Sequence, residues 1–120
     1  MWTTEIEPEV RQWLEQLPDT HYDKVERAAD MLAEHPTTLG EPYSRHLGGK
    51  VRELRFLMEG NSVRITYWLA PQQRIVLLTV FRKTRMREDA EVERARRTQE
   101  LCEAWHSKAE HTYDRKEDGS

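Results

Sequence analysis

The sequence contains few of the features that mark secreted, membrane or disulfide-bonded proteins. Its one cysteine, Cys102, excludes an internal disulfide and is typical of a reducing compartment. No apolar run approaches the roughly 20 residues of a membrane span, and the first residues lack the pattern of a signal peptide. We therefore expect a cytoplasmic protein that does not insert into membranes.

The common catalytic motifs are also missing. Gly48-Gly49 lacks the rest of a phosphate-binding loop, and no serine lies in a nucleophile elbow. His106 and His111 are five residues apart, a spacing that does not place two zinc ligands on one helical face, and no cysteine or carboxylate cluster accompanies them. The sequence therefore predicts neither a metal site nor a cofactor.

The length and composition indicate one small domain. The chain has 120 residues, of which 37% are hydrophobic and 34% charged, so its core is small for its length. We expect the domain to span residues 1–106. Residues 107–120 are polar and show no hydrophobic period, which predicts a disordered tail.

The charges are segregated along the chain. Residues 1–44 contain three basic and ten acidic side chains, whereas residues 45–85 contain nine basic and two acidic ones. The remaining 35 residues are again acidic on balance, and the total is −3. A basic segment between acidic ends suggests a localised site for an anion such as a phosphodiester, although strand arginines can also be merely solvated.

Hydrophobic periodicity predicts an α+β domain. Its predicted elements, in order, are a strand at 2–7, two helices forming a hairpin up to His35, a loop at 37–49, strands at 51–58, 62–70 and 75–81, and a helix at 87–105. Short turns make the three later strands an antiparallel meander. We expect the helices to cover one face of the sheet.

Individual helix positions can be assigned from the same pattern. Trp13 falls on the apolar stripe of the first helix, and we expect it to be buried. In the last helix the predicted buried stripe contains Val92, Ala95, Cys102 and Trp105. Tyr67 is expected in the core, whereas Trp68 faces the other way and either packs under a helix or stacks on a base.

Three segments resemble the RelE/HigB superfamily of type II toxins, in particular its phage-derived, HigB-like branch. They read SRHLGGKVRELR at 44–55, VRITY at 63–67 and IVLLTVFRKT at 75–84. The resemblance covers about residues 2–105, and the order of the predicted elements agrees with it. It implies a RelE-like fold with an N-terminal strand, a helical hairpin, a three-stranded meander and a C-terminal helix.

The resemblance also implies a function. Such toxins often cleave messenger RNA on the ribosome without a metal, and an antitoxin, in this branch often a helix-turn-helix protein, neutralises them. Two alternatives remain open on the same scaffold. One is a ParE-like, non-enzymatic inhibitor of DNA gyrase, and the other is a domesticated phage protein that only binds its partner.

The basic residues of the meander are the candidates for this chemistry. Phosphoryl transfer needs cations against the phosphate oxygens and groups that accept and donate protons. We predict Arg64 and Arg82 as phosphate clamps, with Arg55 beside them, because side chains that share a sheet face can converge. Lys83 is the predicted proton-transfer group. Glu53 serves either as the base or as an ion-pair partner of an arginine.

A further set of residues is predicted to bind the RNA outside the reacting phosphate. It consists of Arg45, His46, Lys50, Arg52 and Arg85. Each also has a structural alternative, since strand arginines pair with neighbouring acids and loop histidines often hold a turn. The net acidic charge and the lack of a clear tyrosine or acid near the domain's end depart from the family pattern.

Overall fold

The computed structural model describes residues 1–84 and 86–105, together with the backbone of 111–112. Pro8 opens the first helix at a position where its missing N–H costs nothing. The elements, in chain order, are β1 (Thr3–Ile6), α1 (Pro8–Glu15), α2 (Asp19–Glu34), β2 (Ser44–Gly48), β3 (Val51–Met58), β4 (Asn61–Ala70), β5 (Arg74–Arg82), α3 (Asp89–Ala104) and β6 (His111–Thr112).

These strands form one sheet with the order β2-β3-β4-β5-β1-β6. Strands β2, β3, β4 and β5 are each antiparallel to the next, whereas β1 pairs in parallel with β5. Glu59 and Gly60 connect β3 to β4, both with positive φ, as a two-residue hairpin turn requires. The predicted α+β class, with an opening strand, a helical hairpin, an antiparallel meander and a C-terminal helix, is confirmed.

The sheet is covered by helices on both faces, contrary to the expectation of one. Leu54, Ile65 and Leu77 pack in one core with α1 and α2, and we call this side the hairpin face. On the opposite side, Val51 and Trp68 pack with Ala95 of α3, and we call it the α3 face. The central strands of the sheet carry apolar side chains on both sides, so both faces must be covered by helices.

The predicted loop at 37–49 is partly wrong, because residues 44–48 form β2 at one end of the antiparallel set. The meander therefore has four strands. Gly48 and Gly49 adopt φ angles of 133° and 55°, which turn the chain directly from β2 into β3. Ser44 is buried, and its hydroxyl hydrogen-bonds the hydroxyl of Tyr67 at 2.6 Å, which fixes β2 against the core.

Strand β5 contains a β-bulge opposite β4. Tyr67 pairs with Leu77 and Thr66 pairs with Thr79, so Leu78 has no partner in the register. A residue inserted in this way reverses the alternation of all side chains that follow it. Val80 accordingly packs against the hairpin-face core, and Arg82 lies opposite Val63.

Two side chains hold the edge of β5 where β1 no longer covers it. Glu9 accepts a hydrogen bond from the backbone N–H of Val80 at 3.0 Å, and Arg94 donates to the carbonyl of Val80 at 3.4 Å. Arg94 also forms ion pairs with Glu9 and Glu91. This network ties α1, β5 and α3 together.

Several predicted helix positions differ from the structure. In α3 the buried residues are Ala95 and Gln99, Cys102 is half-buried, and Trp105, which follows the last helical residue, is exposed. Trp13 is only half-buried, although it packs on the core. Tyr67 is fully buried as expected, and Trp68 packs under α3.

The predicted tail at 107–120 lies outside the described residues, apart from the backbone of β6, which pairs with β1. Within the described part of the chain, no helix is both long enough and apolar enough to span a membrane.

Candidate functional site: an arginine cluster on the α3 face

Arg55 and Arg64 lie directly opposite each other on β3 and β4. Strand alternation places both on the α3 face, since Val51 and Trp68 of the same strands pack with α3. They lie nearer to the β3–β4 turn than those core residues do. Arg45 of β2 pairs in the register with Glu53, and so adds a third arginine to the same face.

Glu53 lies between the arginines. Its Oε2 is 3.5 Å from Nε of Arg64 and 3.8 Å from Nε of Arg55. Glu53 is buried, with only 6% of its surface exposed, so solvent screens its interaction with the arginines only weakly. We call Arg45, Glu53, Arg55 and Arg64 the arginine cluster; it contains three cations and one carboxylate.

Arg64 is unusual among arginines because only 6% of its surface is exposed. Burial lowers the pKa of Arg64 and the nearby Glu53 opposes this, while Arg55 and Arg45 lower the pKa further. Its Nη1 donates to the carbonyl of Val63 at 3.3 Å, and its buried Nε makes no hydrogen bond to any described residue. The guanidinium is thus held in place while part of its donor capacity remains unused.

Lys83 follows β5 immediately and lies beside the start of β4. Its backbone N–H donates to the carbonyl of Ser62 at 2.9 Å, and its Nζ donates to the carbonyl of Met86 at 3.0 Å. Ser62 is two residues from Arg64 along β4. Lys83 is half-buried, and its position is compatible with the predicted role beside the cluster.

Arg82 does not join the cluster. The bulge at Leu78 turns its side chain to the hairpin face, where it is exposed and lines a cleft together with Trp13 and Asn61. Without the extra residue, regular alternation from Val76 would place Arg82 on the α3 face with Arg64. The predicted convergence of Arg64 and Arg82 on one phosphate is therefore absent from the structure.

The predicted RNA-binding residues are also dispersed, and of those described only Arg45 belongs to the cluster. Arg52 points to the hairpin face and donates to the hydroxyls of Ser44 and Tyr67, both at 3.3 Å. Lys50 pairs with Glu103 of α3, and His46 hydrogen-bonds the carbonyl of Gly49 at 2.8 Å. Arg85 lies outside the described residues.

The sequence analysis did not single out Phe81. Phe81 is half-buried, lies opposite Arg64 in the β4–β5 register and is also among the residues that line the cleft containing Arg82. Only the bulge gives it this position in the register, and nothing in the alternation of the sequence indicates a bulge at Leu78. An aromatic side chain next to paired arginines offers a surface on which a nucleobase can stack.

The arrangement can bind an anion and move a proton. Two guanidinium groups on adjacent strands can contact the oxygens of one phosphate, and a carboxylate between them can accept a proton. Across the described residues, no three His, Cys, Asp or Glu side chains are grouped so that they could hold a metal ion. The chemistry that the arginine cluster itself offers is acid–base and electrostatic.

The comparisons with known proteins agree with this architecture. Residues 12–100 match the family described as "Phage derived protein Gp49-like (DUF891)". The fold is similar to a chain of the intact E. coli RelBE toxin–antitoxin complex, with a TM-score of 0.55 and 10% identity over 71% of this chain and 100% of that one.

A mutant of E. coli toxin RelE in the free state is similar too, with a TM-score of 0.57 and 13% identity over 77% of this chain and 90% of that one. At this identity the similarity concerns the fold alone. No curated protein matches the sequence. Because the family match spans most of its length, the chain belongs to the phage-derived Gp49-like family and has the fold of RelE.

Proposed function

We propose that this chain is the toxin of a type II toxin–antitoxin pair, in the HigB-like branch, and that it cleaves messenger RNA on the ribosome without a metal. The observation that carries the proposal is Arg64, a buried guanidinium that is flanked by Arg55 and Arg45 and ion-paired with Glu53. A positive group held in a fixed position stabilises the charge that develops on a phosphate in the transition state.

The proposed reaction is an attack of a ribose 2′-hydroxyl on the adjacent phosphorus. Glu53 accepts the proton of the 2′-hydroxyl as the new O–P bond forms. The bond between phosphorus and the 5′-oxygen breaks, and Lys83 donates a proton to the leaving oxygen. The products are a 2′,3′-cyclic phosphate and a free 5′-hydroxyl, with Arg55 and Arg64 contacting the phosphate oxygens throughout.

The proposed partner is an antitoxin, which in this branch is expected to be a helix-turn-helix protein. One structure with this fold is a toxin bound in a toxin–antitoxin complex, and this supports a similar pairing here. The family is phage-derived, which fits a mobile two-gene module. Both the ribosome and the antitoxin would be met in the cytoplasm.

The test is cleavage of radiolabelled messenger in a translating extract. We expect wild type to cut at defined positions, and Arg55→Ala to reduce the cleavage rate by roughly 10²-fold, as the loss of one transition-state donor does elsewhere. Arg64→Lys should also be impaired, because lysine keeps the charge but lacks the fork of donors. The matched control is Arg96→Ala, an exposed arginine of α3 outside the cluster. Full cleavage by both cluster variants would exclude the proposed site.

A second candidate function is that of a ParE-like gyrase inhibitor, which is not an enzyme and needs no catalytic residues. Two observations favour it, namely the position of Arg82 away from the cluster and the carboxylate of Glu53 within it, which neutralises part of the positive charge. The distinguishing assay is gyrase with supercoiled DNA. Trapped gyrase–DNA cleavage products, together with intact messenger in the extract, would support this candidate over the nuclease.

A further inference from the structure

A cleft opens on the hairpin face at the end of the meander, away from the arginine cluster. It has a volume of about 370 Å³, within the range of roughly 300–1,000 Å³ for small-ligand sites. Its apolar lining includes Trp13 of α1, Met58 of β3 and Val63 of β4. A cleft of this size and lining can receive one large apolar side chain.

The rim of the cleft contains polar side chains that can still form hydrogen bonds or ion pairs with a ligand. The side chains of Asn61 and Arg82 are exposed, and neither has a hydrogen bond or ion pair with another side chain among the described residues. His21, by contrast, is already engaged by Glu59 at 2.5 Å. Arg82 is therefore the available cation at this rim, and Asn61 offers both a donor and an acceptor.

The charges around the cleft argue against a nucleic acid as its ligand. Helix α2, whose first turn contributes His21 to the cleft, has five exposed acidic side chains and only two basic ones. Glu59 adds another carboxylate to the rim. A phosphodiester chain would be repelled along most of this surface. A peptide with one carboxylate for Arg82 and basic residues for α2 would be complementary to it.

We propose that the cleft binds a segment of the antitoxin that presents one large apolar side chain, an adjacent acidic residue and flanking basic residues. The apolar side chain enters between Trp13, Met58 and Val63, and the acidic residue pairs with Arg82. This inference rests on the proposed function, because it names the partner of a toxin. The bound segment lies on the opposite side of the sheet from Arg64, so docking here leaves the arginine cluster uncovered.

The experiment uses the full chain and the small protein encoded by the adjoining reading frame, with binding measured by titration calorimetry. Asn61→Trp fills the cleft from an exposed position, and Arg82→Glu reverses the charge at its rim. We expect each variant to raise Kd at least tenfold. Arg96→Glu, which makes the same charge change on α3, should stay within twofold of wild type. Thermal unfolding of each variant verifies that it is folded.

The inference and the proposed function fail in different ways. If wild type expressed without its neighbour leaves growth and messenger intact, the proposed function is wrong. If wild type is toxic but Asn61→Trp and Arg82→Glu bind the neighbouring protein as tightly as wild type does, the cleft is not its docking site. If Arg82→Glu weakens binding to ribosomes and leaves Kd for the protein unchanged, the cleft contacts nucleic acid and the inference is overturned.

Discussion

The hydroxyl of Thr66 accepts a hydrogen bond from the backbone N–H of Thr79 at 3.1 Å, and the two threonine hydroxyls lie 2.5 Å apart. Both residues are buried, and they face each other where β5 has one residue more than β4. A bulge leaves backbone groups without ladder partners, and here a side chain satisfies one of them. This pair therefore stabilises the register that sends Phe81 and Arg82 to opposite faces.

We expect Thr66→Val to destabilise the protein by about 1–3 kcal/mol. Valine has nearly the same shape, but it leaves the buried N–H and hydroxyl of Thr79 without this partner. Thr66→Ser retains the hydroxyl and should recover most of the loss. Urea unfolding curves measure both variants. Equal stability of Thr66→Val and wild type would show that the hydroxyl pair does not stabilise the bulge.

Arg64 and Arg82 should differ in their contribution to folding. Arg64→Ala leaves Glu53 buried with a more distant partner, and breaking a buried ion pair from one side costs roughly 3–5 kcal/mol. Arg82→Ala removes an exposed side chain and should change the free energy of unfolding by about 0.5 kcal/mol or less. Chemical denaturation compares the two. Similar losses for both would contradict the placement of the arginines on opposite faces.

Arg94 is the third residue whose removal should weaken the fold. Burial lowers the pKa of Arg94, but its hydrogen bonds and ion pairs with Glu9 and Glu91 outweigh this and raise it overall. We expect Arg94→Ala to cost roughly 1–3 kcal/mol, because hydrogen bonds to charged groups are lost. Hydrogen exchange should quicken at the amide of Val80, because its acceptor Glu9 loses the ion pair with Arg94 that holds it in place. The exposed neighbour in Arg96→Ala serves as the control, and equal exchange in the two variants would contradict the network.

The thiol of Cys102 should react slowly at neutral pH. Burial raises the pKa of Cys102, so less of the reactive thiolate is present than in a free cysteine. We expect alkylation by iodoacetamide at pH 7.5 to be slower in the native protein than in urea, and to accelerate as the pH rises through the raised pKa. Because the unfolded thiol ionises first, this group's contribution to stability is present below the unfolded pKa and declines above it. Mass spectrometry across pH 7–10 measures the rates, and equal native and unfolded rates would contradict the prediction.

The central strands could be predicted from the sequence because their side chains alternate. Strand β3 has the predicted bounds, and β4 and β5 differ from prediction by only one residue at either end. Leu54 and Ile65 face α1 and α2, whereas Val51 and Trp68 face α3. Their partition between two faces follows directly from the period of two in an extended chain.

Strand β2 and the side covered by α3 could not be predicted in the same way. Ser44–Gly48 is too short and too rich in polar residues and glycine to show a period, and its place depends on pairing with β3. Helix α3 buries only Ala95 and Gln99, so its own stripe is too weak to show which sheet face it covers. Tertiary contacts determine both features.

The sequence predicts that the site is basic, but it predicts only partly which basic side chains lie together. The sequence shows that the middle of the chain is basic, and Arg55 and Arg64 do come together because two adjacent strands align them. Burial of Arg64 beside Glu53 is a tertiary property that the charge pattern does not reveal. One unmatched residue, Leu78, reversed the direction of Arg82.

The hydrogen bonds of Glu9 and Arg94 to the backbone of Val80 also affect the protein when no partner is bound. Beyond Leu77, β5 pairs with no strand of the described residues on the side of β1, and an unpaired strand edge can be extended by a strand from another chain. With the N–H and the carbonyl of Val80 both occupied, an incoming strand finds its hydrogen-bonding positions there already taken. This part of the β5 edge is thereby less able to accept a strand from another chain, even when no partner is bound.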